Sequence, residues 1–227
     1  VCGRASSIFS REELAETFQV EQVDAPELPA RWNLAPSDLL YVVGTTNDGV
    51  RKLAAFKWGL LAPWETGQRR ILVNVRAESL VSKRGFHEMA RSRRAIVPLS
   101  GFYEWAPATA TSQGRKRPFY FQPPNGRPLA VAAIWGSRHH AEGTEEKTVA
   151  LVTTRANNLV GEIHPRMPAI LPEESWGEWL KPGPLGQDRL ETLLSPAPEE
   201  TLERWEVGKA VNSPKAEGPD LVAPLRA

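Results

Sequence analysis

The sequence predicts an α/β chain of the α+β type, one domain around a twisted, mixed or largely antiparallel sheet with short helices beside it. Three observations point there. β-rich runs dominate the first two thirds, Asp-Gly and Asn-Gly turn signals sit between such runs, and the helical patterns are short and scattered. A chain of 227 residues can bury most of its apolar side chains in one core. No internal repeat, heptad run or long linker divides it, so residues 1–227 are expected to form one domain.

In order along the chain, SREELAETF reads as a helix, because Ser10 and Glu13 have capping-box spacing and Leu14 and Phe18 share a face. LLYVVGTTNDGVRKLAAFKWG reads as a hairpin around Asp48-Gly49, and PFYFQPPNGRPLAVAAIWG as a second around Asn125-Gly126. RRAIVPL, TVALVTT and RWEV add strands. FHEMARSR, PEESWGEWLK and DRLETLLS carry helical patterning or start signals. The small, polar and basic stretch from Ala106 to Arg117 and the run KPGPLG read as exposed loops.

Composition removes several function classes. Formal net charge is +1, so any affinity for nucleic acid must come from a local cluster of arginines. The only cysteine is Cys2, which excludes an internal disulfide. One thiol and four scattered histidines (His87, His139, His140 and His164) cannot assemble a cysteine-rich zinc site, and no metal or organic cofactor is expected. No run approaches the ~18 apolar residues of a membrane span and no signal-peptide layout opens the chain, so a soluble, cytoplasmic protein is expected. Eight tryptophans can serve a core or stack on flat ligands.

Cys2 is a chance thiol, a small buried apolar residue, or a reactive group. If residue 1 is removed, amine and thiol stand on one residue, and an aldehyde carbon can bond to both in a five-membered ring. An α-amine has a reference pKa of about 7.7 to 8.0, so a useful fraction is neutral near pH 7 and can form an imine. Val1 would block that amine. It is expected to be a translated non-ATG start, initiated as Met and trimmed because Cys is small.

Glu104, in GFYEW, is either an outward charge between inward aromatics or a carboxyl held among rings for acid–base work. His164, in EIHPRMP, is a structural histidine or a proton shuttle in a loop stiffened by Pro165 and Pro168. His139 and His140 lie in a charged, loop-like stretch. Asn74 can hydrogen-bond a ligand or cap the helix that starts near Arg76. Arg4, Arg76 and Arg166 stand within two residues of these candidates and suit phosphate oxygens, although isolated surface arginines are abundant. Pro36 and Trp64 can form an apolar wedge or a stacking shelf, or simply pack in the core.

The blocks CGR, WNLAP, WGLLAPW, NVRAES, RRAIVPLSGFYEW, LVTTRAN, IHPRMPAIL and AVNSPKAEGPDLV, in this order across nearly the whole chain, resemble the SRAP family of SOS-response-associated peptidases or abasic-site-processing proteins. The resemblance implies a mixed, barrel-like β-core with flanking short helices, binding single-stranded DNA that contains abasic sites, or a strand junction; separately, a monomer without an obligate protein partner is expected. It makes Cys2 the nucleophile that forms a thiazolidine, Asn74 the group orienting the sugar, Glu104 the proton-transfer group and His164 an aid to ring opening. Arg4, Arg76 and Arg166 would hold phosphates, with Pro36, Trp64 and Thr154 lining the DNA path. The chain departs from the family at Val75, where Ala is usual, and at Pro165, where an acid is common. Associated lyase and crosslink-reversal activities follow from the same resemblance. A thiol peptidase built on Cys2 and a passive single-strand binder are the competing functions.

Overall fold

The computed structural model describes residues 2–61, 64, 71–108, 116–139 and 142–225, with only the backbone at 138 and 139. Its strands are β1 (Ala5–Ser7), β2 (Gln22–Val23), β3 (Arg31–Leu34), β4 (Leu39–Thr45), β5 (Arg51–Trp58), β6 (Asn74–Arg76) and β7 (Arg94–Leu99). They continue with β8 (Gly101–Ala106), β9 (Arg117–Gln122), β10 (Leu129–His139), β11 (Glu145–Arg155), β12 (Arg166–Pro168) and β13 (Glu203–Glu206). The helices are α1 (Arg11–Thr17), α2 (Ala77–Ser82), α3 (Arg84–Ser92), α4 (Asn158–Gly161), α5 (Trp176–Leu180) and α6 (Gln187–Leu193). The α+β class is as expected, and local signals account for several elements. Ser10 and Glu13 form the predicted reciprocal capping box of α1.

β5, β4, β7, β10 and β11 are antiparallel neighbours, and a parallel pairing of β11 with β5 through Thr148↔Lys57 and Val149↔Trp58 closes them into a five-stranded barrel. Closure removes the free edges that such apolar strands would otherwise expose. Both faces are buried along β7 and along the apolar stretches of β10 and β11, which is why AIVPL, LAVAAI and VALV read as unbroken apolar runs. Ile96, Tyr41, Ala132 and Ala150 pack beneath Leu14, Phe18, Trp176 and Trp179 of the helical side. The alternate residues Val42, Val97, Ala133 and Leu151 turn the other way, into the barrel interior. A second antiparallel sheet, in the order β13-β9-β8-β1-β3, contributes Ala5, Leu34, Phe102 and Phe121 to that same interior cluster.

The Asp48-Gly49 hairpin forms as predicted, with β4 and β5 paired from Thr45↔Arg51 to Leu39↔Lys57. The second predicted hairpin does not. β9 pairs with β8 and β13, while β10 pairs with β7 and β11, so the Asn125-Gly126 turn passes the chain from one sheet to the other. Pro123, Pro124 and Pro128 around the turn lack the backbone N–H groups that a tight hairpin ladder would use there. Gly126 supplies the left-handed turn residue, at φ 67°. His139 also departs from its loop-like reading, since it ends β10 opposite Glu145. His140 and residues 109–115 of the predicted Ala106–Arg117 loop lie outside the described residues.

Candidate active site

Strand β1 lies beside β8, with Ala5 opposite Phe102, and the N–H of Tyr103 donates to the carbonyl of Arg4. This pairing carries the chain start alongside Glu104. The alternation of β8 runs opposite to the outward-charge reading. Tyr103 and Trp105 face Tyr120, Val207 and Val211, whereas Phe102 and Ala106 face the interior cluster that holds Cys2. Glu104 is buried between them in register. The backbone N–H of Cys2 donates to Oε1 of Glu104 at 2.5 Å. From the other side, Nδ2 of Asn74 donates to the carbonyl of Cys2 at 3.2 Å.

Asn74 therefore does not cap a helix. It opens β6, paired with Leu151, and the cap of α2 is Arg76, which makes no side-chain capping bond. Cys2 has φ 33°, a left-handed conformation that costs on the order of 1–3 kcal/mol for a residue with a side chain. The bonds to Glu104 and Asn74 hold it there. Burial, and then the charge of Glu104, push the Cys2 thiol far above the ordinary range, so it stays protonated at neutral pH.

His164 stands between α4 and β12, half-buried, and its Nδ1 lies 3.0 Å from the backbone N–H of Arg166, a donor to it, and 3.1 Å from the Arg166 carbonyl, an acceptor from it in the other tautomer. β6 and β12 flank β11, with Val152 opposite Val75 and Thr154 opposite Met167, so Asn74 and His164 enter from separate elements around one strand. No described hydrogen bond joins His164 to Cys2 or Glu104.

The arginines differ in what already holds them. Arg4 donates at 2.7 Å to both Oδ1 of Asn33 and the carbonyl of Val211, and burial lowers its pKa. Arg166 makes a two-pronged pair with Glu78, at 2.7 and 3.0 Å, and reaches the carbonyl of Thr153. Arg76 is exposed. Thr154 is buried on β11, and Pro36 is half-buried in the turn after β3. Trp64 is 43 % exposed and meets Phe86 edge-on at 5.0 Å. Gly85 makes room for it, since a Cβ there would come within 2.7 Å of the indole. Two positioning residues escaped the sequence reading, Glu78 and Asn33. Both lie in the quoted blocks NVRAES and WNLAP, but their partners are distant in sequence.

No cluster of three or more His, Cys, Asp or Glu suited to a metal occurs among the described residues, and no helix among them is long and apolar enough to cross a membrane. A closed small barrel thus carries Cys2 tied to the buried carboxyl of Glu104. The chain belongs to the SRAP family, "SOS response associated peptidase", whose model matches residues 1–214. It is 32% identical over 226 residues to abasic site processing protein YoqW of Bacillus subtilis (strain 168), covering 98% of this chain and 99% of that one. Abasic site processing protein YedK of Escherichia coli (strain K12) is 28% identical over 230 residues, covering 99% of this chain and 100% of YedK. A crystal structure of a Bacteroides thetaiotaomicron protein superposes with a TM-score of 0.86 at 23% identity, covering 99% of this chain and all of the other, and shares the fold.

Proposed function

We propose that the chain processes abasic sites in DNA and that, once residue 1 is removed, Cys2 captures the ring-opened deoxyribose of single-stranded DNA as a thiazolidine. The family and the names of the relatives support the first part. The contact between the Cys2 nitrogen and Glu104 carries the second.

With residue 1 gone that nitrogen is a primary amine, and Glu104 is placed to take a proton from its ammonium form. The amine adds to the aldehyde carbon, and the resulting carbinolamine loses water, with Glu104 or His164 returning the proton. The thiol then adds to the same carbon and releases its proton, closing the ring. One water leaves and nothing is oxidised or reduced. Asn74, by holding the Cys2 carbonyl, fixes the direction from which the amine approaches. The same imine acidifies the neighbouring sugar carbon, so expulsion of the 3′ phosphate competes with ring closure as a lyase route. Arg76 would hold phosphate, Arg166 and Arg4 would line its path while held by Glu78 and Asn33, and Trp64 and Pro36 would stand beside the unpaired bases.

A thiol peptidase is less well supported. It requires a thiolate, and the surroundings of Cys2 favour the thiol. Capture also requires the thiol, fully buried in the 227-residue chain, to become reachable when residue 1 leaves. The test uses protein shown by intact mass to begin at Cys2, incubated with abasic single-stranded DNA and run on a denaturing gel. A heat-stable adduct is expected with the trimmed protein and none with Cys2→Ala. Equal adduct from Cys2→Ala, or hydrolysis of peptides without any adduct, would overturn the proposal.

A further inference from the structure

The closed barrel has an open mouth away from Cys2. Inward-facing residues of its strands line a cavity of about 360 Å³, within the ~300–1,000 Å³ range of small-molecule sites. Gly44 of β4, Lys52 of β5, Ala95 of β7, Trp135 of β10 and Lys147 of β11 each contribute to the wall. These are the same alternate positions that, deeper in, form the interior cluster with Val42, Val97, Ala133 and Val149. Asn74, which holds Cys2, pairs with Leu151, four residues further along β11 than Lys147. The two sites therefore sit at different levels of one strand.

The chemistry of this mouth is aromatic and cationic together. Phe56 and Trp135 form its floor, with centroids 5.6 Å apart and planes at 49°. The Arg93 guanidinium, beside the lining rather than part of it, lies 4.8 Å from the centre of the Trp135 ring, and the ammonium of the lining residue Lys147 lies 5.8 Å from that of Phe56. Lys52 pairs with Asp24, and Lys147 lies 3.7 Å from Glu145. Arg93 has no carboxylate within ion-pair distance among the described residues. Asn47 adds a hydrogen-bonding side chain to the lining, while the hydroxyl of Thr46 is engaged with the backbone of Val50. Flat rings for stacking, a planar guanidinium and a mobile ammonium suit a flat conjugated base that carries a phosphate.

We infer that the barrel mouth binds a nucleotide, the base against Trp135 and Phe56 and the phosphate against Arg93 and Lys147. Its source is either a free nucleoside monophosphate or a nucleotide within a strand. The inference does not depend on the chemistry at Cys2.

The full chain, labelled with ¹⁵N, is titrated with dAMP, with deoxyadenosine, with inorganic phosphate and with an undamaged oligo-dA, while the indole N–H signal of Trp135 is followed. Saturable movement of that signal is expected with dAMP, at least about tenfold weaker with deoxyadenosine, since charge-assisted hydrogen bonds to the phosphate are lost. A response to oligo-dA at lower concentration than to dAMP assigns the site to a strand, and the reverse assigns it to the free nucleotide. Arg93→Ala and Lys147→Glu are at least partly exposed changes that leave the floor intact, and each is expected to weaken dAMP by about tenfold or more, whereas Cys2→Ala leaves it unchanged. No movement of Trp135 with dAMP or oligo-dA at millimolar concentration would overturn the inference. So would binding that survives the Arg93→Ala/Lys147→Glu double substitution.

Discussion

Arg94 and Glu104 are both buried charges, 6% and 5% exposed, on the successive strands β7 and β8, yet they are satisfied in opposite ways. The Arg94 guanidinium donates to the main-chain carbonyls of Trp179, Gly183, Ala90 and Lys181, and lies 5.7 Å from the Trp179 ring. Ala90 and Trp179 are in the last turns of α3 and α5, where carbonyls lack helical partners and the helix dipole favours a cation. Burial lowers its pKa to about 10, so it remains charged at neutral pH. The carboxylate of Glu104 is instead placed against the nitrogen of Cys2, the group proposed to react once residue 1 is gone. A buried charge spent on main-chain carbonyls is scaffold, and, on the proposed function, one set against the Cys2 nitrogen is machinery.

The largest test of that contrast is Arg94→Leu. It strands several buried carbonyls at once, each at about 1–3 kcal/mol, and is expected to lower unfolding free energy by about 3–5 kcal/mol in urea titration. Adduct yield per folded molecule is expected to stay at the wild-type level. A loss below about 1 kcal/mol would mean that water satisfies those carbonyls and that Arg94 is not the anchor of α3 and α5.

Glu104→Gln is the converse. The amide keeps an oxygen to accept from Cys2 but cannot take a proton, so the urea midpoint moves little while adduct formation slows about 10²-fold or more. Rates are read by quenched time points on denaturing gels. Unchanged rates, or a collapse in stability as large as that of Arg94→Leu, would place Glu104 with the scaffold.

What the sequence could disclose of this contrast depended on range. The Ser10 capping box and the Asp48-Gly49 hairpin are written within a few neighbours, and both form. The partner of β9 is set by contacts with β8 and β13 that no local window contains, and the turn motif at Asn125-Gly126 misled for that reason. Glu104 was legible as chemistry but not as burial. Alternation within GFYEW gives two faces, and only the C-terminal segment packing on Tyr103 decides which faces inward. Arg94 gave no signal at all, because its acceptors are backbone carbonyls, which every residue type supplies. The barrel closure came from the family resemblance rather than from periodicity.

Between the two extremes stands Arg166, whose partner Glu78 is a side chain 54% exposed. The Arg166 guanidinium, through hydrogen bonding above all, holds the Glu78 carboxyl below its ordinary range. A carboxyl whose pKa is depressed by folding stabilises fully above its unfolded value, and loses that contribution as pH falls through the folded one. Acidification below about pH 4.3 should therefore cost wild type more than Glu78→Gln, by less than about 1 kcal/mol because solvent screens the pair. At neutral pH the same substitution releases Arg166 for phosphate. Undamaged single-stranded DNA is then expected to bind slightly tighter, with the slope of log K against log salt steeper by about 0.7 for one added phosphate contact. Identical acid unfolding in the two proteins, together with an unchanged salt slope, would show that the Glu78 pair neither stabilises the fold nor restrains Arg166.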